Sequence, residues 1–391
     1  MRNAAILTLL ETVVPAKSYG TSAVLAARHF HFVRAGAKAL DLADALGREP
    51  EIEVVAVLGE GERPLGVVSR QHLFTLIGKP FGREVLARAD VGEVLEDAPR
   101  IDVHASLFTV AASALDESRS TPYLVLVDDT EAYRGILSAR DLSEYMSRIT
   151  QEDIELAGEI QERLEECNEA VGDERFSLDA WSQAAKGVGG DFWFTRALTD
   201  GHVFLTLCDV SGKGVAASLV VSMVWGMLVM YDFGKGLADL LTGLNESLVA
   251  TFRHERYLTG FFALYDPTTR EIAVADMGHS HSLLFRKGRV MRLKGTGNIP
   301  VGIERVVDPV IDRWRLEPGD RLLVYSDGLS EQEDAAGEEF GEGRIASIAG
   351  ACFARGRSLR HDLPEALDRH RGRIPQQDDM SFLCLSLAQG C

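Results

Sequence analysis

Cysteine is scarce in this sequence and shows no paired spacing. The 391 residues include five cysteines at scattered positions: Cys167, Cys208, Cys352, Cys384 and Cys391. Structural zinc sites and disulfide frameworks bring cysteines together in closely spaced pairs, and the sequence contains no such pair. It therefore predicts neither kind of crosslink, and we expect a protein of the reducing cytoplasm.

Basic residues are too few to balance the acidic ones. The sequence has 41 Lys and Arg against 59 Asp and Glu, which gives a formal net charge of -18 at pH 7. Proteins that bind nucleic-acid backbones or anionic membranes need clustered Lys and Arg. We therefore expect that neither nucleic acid nor a membrane surface is a partner.

Long apolar runs are missing as well. The longest, residues 218–231, is shorter than the about 20 residues that a membrane-spanning helix requires. A short apolar run at residues 4–10 ends at Glu11, before the core of a signal peptide develops. We expect a buried helix at 218–231 and no membrane span or secretion signal.

The composition is that of globular domains, with 46% hydrophobic and 26% charged residues, and the length favours two or three of them. Residues 1–147 contain a diverged internal repeat. The apolar runs 54–58 and 123–127 are each followed by a turn and a second run that contains a glycine, Gly66 or Gly135. Each copy predicts the order helix, strand, turn, strand, helix.

A helical linker is predicted after the repeat. Between residues 141 and 171 the apolar residues follow alternating steps of three and four, which is typical of a coiled-coil seam. The seam residues are Leu142, Met146, Ile149, Leu156, Ile160 and Cys167. The many acids around them are also compatible with a plain solvated helix face. We expect residues 148–172 to form a helical linker that transmits a signal. We also expect a homodimer that forms through this linker and the repeat region of residues 1–147.

Residues 173–391 alternate short strands with helices. Turns at 267–270 and 287–288 join neighbouring strands as hairpins, which favours antiparallel pairing and the α+β class with stacked layers. The predicted strands are 176–181, 202–208, 260–266, 271–277, 282–286, 290–294, 321–326 and 381–387, and the predicted helices are 213–231, 235–254, 343–354 and 358–371.

Four aspartates of this region, Asp191, Asp209, Asp327 and Asp378, stand at or near predicted strand ends. A glycine turn beside an acid exposes carboxylate and backbone carbonyl oxygens, which suits a metal site. Hard oxygen ligands without Cys or His clusters favour Mg²⁺ or Mn²⁺ over zinc. Taken singly, each aspartate is more typical of an ordinary turn, as we expect for Asp200 beside Gly201.

The order of these aspartates and their flanking residues resembles the metal-dependent PPM protein phosphatases, in particular their SpoIIE-like branch of bacterial serine phosphatases. The resemblance spans about residues 154–387. The matching segments are Glu159-Ile160-Gln161, Val188-Gly189-Gly190-Asp191-Phe192-Trp193, Asp209-Val210-Ser211-Gly212-Lys213-Gly214, Gly278-His279, Pro300-Val301-Gly302, Tyr325-Ser326-Asp327-Gly328, Phe340-Gly341 and Asp378-Asp379-Met380-Ser381. It implies a PPM-type α-β-β-α sandwich of two antiparallel sheets over residues 173–391.

The resemblance also implies a ligand set and an activity. Asp209 would bridge two Mn²⁺ or Mg²⁺ ions, with Asp191 and the Val210 carbonyl on one ion and Asp327 and Asp378 on the other. Two such ions activate a water for in-line attack on phosphorus. The implied reaction is hydrolysis of phosphoserine or phosphothreonine on a signalling protein, such as an anti-anti-sigma protein of the STAS type.

Two other functions remain open at this point. One is a ligand-responsive protein that binds partners without turnover, and the other is a two-metal hydrolase of a small phosphorylated metabolite. The phosphate loop of tyrosine phosphatases, in which Arg follows Cys after five residues, is absent, because Ser358 stands at that distance from Cys352.

The repeat in residues 1–147 resembles a tandem pair of CBS domains, which are regulatory α/β modules. In that family a Ser or Thr followed three residues later by Asp opens the last helix and contacts an adenine nucleotide. Ser138 and Asp141 match this pattern, whereas the first copy has Ser69 and His72. The resemblance implies an adenine nucleotide at Ser138 and Asp141. Alternatively, Ser138 caps the helix and Asp141 stabilises its first turn.

Two residues near the aspartates have open roles. Lys213 either reaches a substrate phosphate or stays solvated at the start of the following helix. His279 either assists proton transfer or has a structural role in its turn. Phe194, Met277 and Ser280 depart from the PPM pattern but replace none of the expected ligands.

Overall fold

The structure is a computed structural model that describes residues 9–13, 22–114, 121–166, 168, 171–293, 295 and 297–389. The chain divides into two compact units, Met1–Gln151 and Glu152–Cys391. The boundary falls inside one long helix. The segment 148–172, predicted as a separate linker, is therefore shared between the two units.

The N-terminal unit contains two small sheets. The first has the order β1 (Glu11–Thr12), β2 (His31–Arg34), β3 (Val54–Leu58) and β4 (Pro64–Ser69). The second has the order β5 (Arg100–Asp102), β6 (Tyr123–Val127) and β7 (Tyr133–Ser138). The helices are α1 (Ala39–Arg48), α2 (Arg70–Ile77), α3 (Gly82–Leu86), α4 (Leu107–Ala114) and α5 (Ala139–Glu166), which crosses the unit boundary.

The two sheets share one local plan. β2 pairs with β3 in parallel across α1, as β5 does with β6 across α4, and an antiparallel hairpin follows in each case. The register shifts at the same place in both hairpins, between Val57 and Leu58 and between Leu126 and Val127. The internal repeat predicted from the sequence is therefore present in the fold.

The helix α5 is continuous and ends at Glu166, whereas the sequence pattern predicts helix as far as residue 171. Gly172 instead forms an isolated bridge with Ser177. Of the predicted seam, Leu142 is buried, but Leu156 and Ile160 are 57% and 50% exposed. Cys167, the last seam residue, lies outside the described residues.

The C-terminal unit contains two antiparallel five-stranded sheets. In the first, the order is β15 (Asp312–Arg315), β12 (Glu271–Met277), β11 (Leu258–Tyr265), β10 (Val203–Val210) and β9 (Asp191–Ala197). In the second, it is β14 (Arg289–Arg292), β13 (Ser282–Arg286), β16 (Arg321–Tyr325), β17 (Met380–Leu387) and β8 (Phe176–Gln183). The helices are α6 (Val215–Met230), α7 (Leu237–Phe252), α8 (Asp327–Glu331), α9 (Gly341–Ala354) and α10 (Leu359–Arg371).

Three apolar layers hold these elements together. One layer lies between α6, α7 and the first sheet, a second lies between the two sheets, and a third lies between the second sheet and α9 and α10. Burial of apolar surface in these layers is the main favourable contribution to folding. The C-terminal unit is therefore an α-β-β-α sandwich of two antiparallel sheets, as predicted.

Burial on both faces explains the apolar composition of β10. Phe204 and Cys208 belong to the layer under the helices, whereas Leu205 and Leu207 belong to the layer between the sheets. Because side chains alternate along a strand, Asp209 falls on the face toward the other sheet. The strand thus carries a carboxylate to the edge of the layer between the two sheets.

The structure also bears on two further expectations from the sequence, which concern membrane-spanning helices and the pairing of cysteines. No helix in the described ranges is long and apolar enough to cross a membrane. Cys208, Cys352 and Cys384 are buried free thiols, and Cys167 and Cys391 lie outside the part of the chain that the structure describes.

Candidate metal centre

Two of the predicted ligands are neighbours in the first sheet. Asp209 of β10 is paired directly with Asp191 of β9. Directly opposite residues of antiparallel strands have Cβ atoms about 4.5–5.5 Å apart and point to the same face. Trp193, two residues after Asp191, packs in the layer between the sheets, which agrees with that face. The strand register therefore sets two carboxylates side by side, facing the second sheet.

The other two aspartates come from the second sheet. Asp327 begins α8 two residues after the end of β16, and Asp378 lies two residues before the start of β17. β16 and β17 pair antiparallel with Tyr325 opposite Phe382, so the end of one strand and the start of the other meet at the same edge. The sandwich thus brings acids separated by long stretches of sequence to one edge.

Three of the four aspartates line one cavity of about 270 Å³. These are Asp209, Asp327 and Asp378, and Val210 lines the same cavity. The remaining lining residues are Ser211, Gly212, Lys213, Tyr257, Thr259, Gly278, His279 and His281. Polar and charged groups dominate this set, as expected for a site that binds ions and phosphate rather than an apolar ligand.

Asp191 is placed differently from the other three. It lines a second cavity, of about 250 Å³, together with Gln161, Glu165 and Asp379. The Ser381 hydroxyl donates a hydrogen bond to Asp191 Oδ2 at 2.7 Å, and the Asp191 side chain is buried. The structure therefore holds Asp191 beside Asp209 but outside the cavity that the other predicted ligands line.

The electrostatics of this cluster favour a bound cation. Burial, followed by the charge of Asp209, raises the pKa of Asp191 well above its usual value. Burial, followed by the charges of Asp327 and Asp378, also raises the pKa of Asp209. Carboxylates that raise each other's pKa in this way are stabilised when a cation neutralises them. Hard oxygen donors of this kind fit Mg²⁺ or Mn²⁺.

The cluster is not a closed ligand cage. In the described part of the chain, no three His, Cys, Asp or Glu side chains converge closely enough to hold a metal ion by themselves. Mg²⁺ commonly keeps several waters and takes only one or two carboxylates from the protein. An open set of aspartates with Val210 beside them therefore fits a hydrated ion.

Asp379 is a supporting residue that the sequence prediction missed. Its Oδ2 accepts a hydrogen bond from Gly190 N at 2.6 Å, and its Oδ1 accepts one from Ala185 N at 2.8 Å. A Cβ atom at Gly189 would lie 2.5 Å from Asp379 Oδ2, so this position has no room for a side chain. Asp379 thus holds the segment before Asp191 in place through two hydrogen bonds. The sequence signal for Asp379 was its position directly after Asp378, but only Asp378 is a predicted ligand.

Gln161 of α5 supports the same segment from the other side. Its amide nitrogen lies within hydrogen-bond distance of Gly189 O (3.3 Å) and Asp191 O (3.2 Å), and its oxygen accepts from Gly189 N at 3.1 Å. Helix and loop approach closely, because a Cβ atom at Gly158 would lie 2.4 Å from Gly187 O. The end of α5 therefore belongs to the environment of the metal centre.

His279 is buried and lines the cavity that contains Asp209, Asp327 and Asp378. Burial lowers the pKa of His279 to about 3, so the ring is neutral at physiological pH. Its Nε2 has no hydrogen-bond partner among the described residues. Both earlier interpretations remain open, but a proton-transfer role would have to start from the neutral imidazole.

In the N-terminal unit, the predicted nucleotide-binding pair makes contacts with the protein itself. Asp141 Oδ2 accepts hydrogen bonds from Ser138 Oγ (2.6 Å) and Ser138 N (3.0 Å) and lies 3.2 Å from His29 Nε2. Ser138 Oγ in turn accepts from Asp141 N at 3.0 Å. These contacts are those of a helix cap. Binding of an adenine nucleotide at Ser138 and Asp141 stays a prediction.

The first copy of the repeat has a different arrangement. Ser69 Oγ accepts a hydrogen bond from His72 N at 3.1 Å, so Ser69 caps α2. Ser69 N donates to Glu96 Oε2 at 2.7 Å. A carboxylate from elsewhere in the unit therefore takes the position that Asp141 has in the second copy. The serine amide therefore donates to a carboxylate in both copies, from the helix itself in the second copy and from Glu96 in the first.

Comparison with known proteins identifies the C-terminal unit. Residues 199–388 match the family model described as Stage II sporulation protein E (SpoIIE). The chain is 22% identical over 241 residues to Protein IcfG of Synechocystis sp., which covers 54% of this chain and 38% of that protein. It is 26% identical over 183 residues to the phosphoserine phosphatase RsbU of Bacillus subtilis, which covers 46% of this chain and 53% of that protein.

The chain thus matches about half or less of the length of these curated relatives. Among solved structures, the SiaA-PP2C domain of Pseudomonas aeruginosa superposes with a TM-score of 0.52 at 20% identity, covering 62% of this chain and 98% of that domain. This similarity concerns the fold. Residues 199–388 of the C-terminal unit thus form a SpoIIE-like domain, and the sandwich and the order of the aspartates agree with the resemblance to PPM phosphatases.

Proposed function

We propose that this protein is a metal-dependent phosphatase that hydrolyses phosphoserine or phosphothreonine on a signalling protein. The observation that carries the proposal is the cavity lined by Asp209, Asp327, Asp378 and Val210 inside a SpoIIE-like domain. The name of the relative RsbU, a phosphoserine phosphatase, supports the choice of substrate residue.

The residues have distinct tasks in this mechanism. Asp209 would bridge the two Mn²⁺ or Mg²⁺ ions, Asp191 and the Val210 carbonyl would hold one of them, and Asp327 and Asp378 the other. When bound, such ions supply an activated water for in-line attack and offset charge on the phosphoryl oxygens. Asp379 and Ser381 orient Asp191 and the Gly189–Gly190 backbone through the hydrogen bonds described above.

The substrate is proposed to be a phosphorylated protein of a partner-switching pathway, such as an anti-anti-sigma protein of the STAS type. This assignment rests on the resemblance to SpoIIE-like phosphatases. We further propose that the protein acts in the cytoplasm, and that the repeat in residues 1–147 senses an adenine nucleotide as a CBS-type regulatory module.

The test is release of phosphate by the full-length protein. We expect release from a phosphoserine STAS-type protein in Mn²⁺ or Mg²⁺ and none in excess EDTA, because the carboxylates cannot activate water without an ion. A panel of small phosphorylated metabolites serves as the comparison. Faster turnover of a metabolite would favour a small-molecule hydrolase, and binding of the phosphoprotein without release would favour a non-catalytic binding protein.

Regulation is tested in the same assay. AMP, ADP and ATP are added separately, with free Mn²⁺ held constant because nucleotides chelate the metal. We expect one of them to change the rate in the wild type but not in Asp141→Asn, since this change removes the carboxylate charge at the predicted nucleotide site. No response to any of the three would contradict nucleotide sensing and leave the phosphatase assignment unaffected.

We also propose that α5 joins a homodimer. Leu156 and Ile160 are one helical turn apart and both are at least half exposed, which is unfavourable for large aliphatic side chains in a monomer. Analytical ultracentrifugation at micromolar concentration should give a dimer for the wild type and a monomer for the double variant Leu156→Glu, Ile160→Glu. Val290→Glu, which changes an exposed apolar residue of β14, should remain dimeric. A monomeric wild type would contradict this proposal.

A further inference from the structure

Lys213 makes a contact that neither sequence interpretation anticipates. Its Nζ lies 2.6 Å from Asp378 Oδ2 and donates a hydrogen bond to Gln377 O at 2.9 Å. The side chain is 39% exposed, but its ammonium group is already paired and is not free for a phosphate. It binds one of the predicted metal ligands and the backbone immediately before that ligand.

The local backbone directs the side chain there. Gly212 and Gly214, on either side of Lys213, have φ values of 100° and 73°. Such positive φ values are readily adopted by glycine and rarely by other residues. Both glycines lie in the short loop between the end of β10 and the start of α6. This loop holds Lys213 at the cavity that Asp209, Asp327 and Asp378 line.

Lys213 is the only Lys or Arg within ion-pair distance of the four predicted ligands among the described residues. Its charge opposes the mutual repulsion of the acids, since it lowers the pKa of Asp209 while the other carboxylates raise it. An ammonium group and a divalent ion cannot use the same Asp378 oxygen at once, because two cations would be brought into contact. Binding of an ion at Asp378 Oδ2 therefore requires Lys213 to move.

We propose that Lys213 is a positioning residue of the metal centre, whose ammonium group holds Asp378 while no ion is bound there and competes with the ion for this carboxylate. The inference rests on the metal ligands of the proposed function and deepens it. Its consequence is a weaker affinity for the ion held by Asp378, and a carboxylate kept in place until that ion arrives.

The experiment measures Mn²⁺ binding rather than activity. Full-length protein is freed of metal with a chelator, dialysed and titrated with Mn²⁺ by isothermal calorimetry. Lys213→Met removes the ammonium group and keeps an unbranched side chain, so we expect Mn²⁺ to bind about threefold to fivefold more tightly, the size expected for a half-exposed ion pair. Lys213→Arg retains a cation and should bind Mn²⁺ as the wild type does.

Two controls separate competition at Asp378 from a general effect of charge. Lys287→Met removes a lysine that pairs with Glu317 outside the cavity, and it should leave the affinity unchanged. A double-mutant cycle isolates the pair: in an Asp378→Asn background, Lys213→Met should change the affinity by less than about twofold.

The outcomes distinguish this inference from the proposed function. Unchanged or weaker Mn²⁺ binding by Lys213→Met would overturn the competition, as would a gain that persists in Asp378→Asn or that Lys287→Met reproduces. Equal Mn²⁺ binding by the wild type and by Asp209→Asn would contradict the metal centre itself, and this inference with it. Thermal unfolding of each variant verifies that the fold is intact.

Discussion

Asp209→Asn is expected to reduce metal-dependent phosphate release by more than about 100-fold, since loss of even an indirect partner of a metal ligand commonly costs 10- to 100-fold in affinity or activity. Asp209 is the proposed bridging carboxylate, and Asn lacks the charge and the second anionic oxygen needed for that role. The measurement is initial phosphate release from a phosphoserine protein substrate at saturating Mn²⁺, together with Mn²⁺ binding by calorimetry.

The fold should survive this change. Asn is nearly the same size as Asp, and burial beside Asp327 and Asp378 disfavours the charged form of Asp209. In EDTA, the variant should therefore unfold at the same temperature as the wild type or higher. A lower unfolding temperature would point to a structural defect instead.

Asp200→Asn is the matched control. Asp200 lies in the exposed turn between β9 and β10, where its Oδ1 accepts a hydrogen bond from His202 N at 3.1 Å. The same chemical change at this position should leave phosphate release within about twofold, because surface substitutions away from special features have small effects. Comparable rates in Asp209→Asn and wild type would refute the proposed mechanism.

Gly328→Ala is expected to have the largest effect on stability. A Cβ atom at Gly328 would lie 2.1 Å from Asp379 O and 3.1 Å from Asp378 Cβ. The backbone oxygen cannot turn away as a flexible side chain could, so the 378–379 segment must shift. We expect a loss of about 1–3 kcal/mol or more in the free energy of unfolding, the usual range for overpacking.

The shift of the 378–379 segment should also weaken metal binding, because it moves Asp378 and disturbs the hydrogen bond from Gly190 N to Asp379 Oδ2. The measurements are urea unfolding followed by tryptophan fluorescence, and Mn²⁺ titration. Gly343→Ala is the control, since Gly343 also lies in a helix and has no atom within 4 Å of an added Cβ. This control should be neutral or slightly stabilising. Equal stability of the two variants would contradict the steric argument.

The sequence predicts the central strands of the C-terminal unit because they are covered on both faces. β10, β11, β16 and β17 consist almost wholly of buried apolar residues, and the sequence pattern predicts all four. β15 at the sheet edge has alternating exposed charged residues, so it carries no apolar signal. β9 is also absent from the predicted strands, because its first residue, Asp191, resembles the end of a glycine turn.

Gly328, beside Asp327, is a second feature whose structural role the sequence pattern predicts incorrectly. An Asp-Gly pair after a strand predicts a turn that needs glycine for its backbone freedom. Gly328 instead lies in the short helix α8 and is not among the residues with positive φ. Glycine is required there for space against Asp379 O, a contact with a residue about fifty positions away along the chain.

In the N-terminal unit, too, the sequence predicts some features, whereas others depend on the tertiary structure. The repeat is visible in the sequence because both copies place a buried strand and a hairpin in the same order, and the structure has both. The contact of His29 with Asp141 and that of Glu96 with Ser69 N join residues distant in sequence. No local pattern predicts these contacts, although they decide how much of each helix N-terminus is left for a ligand.

The sequence by itself determined that the C-terminal unit is an α+β domain of the SpoIIE-like type and that acids stand at its strand ends. These properties depend on local periodicity and on short motifs. The tertiary structure decided which acids meet: strand register sets Asp191 opposite Asp209, and the pairing of β16 with β17 brings Asp327 and Asp378 to the same edge. It also decided that Lys213 contacts Asp378 and that Asp379 holds Gly190, because such contacts arise only when distant segments pack together.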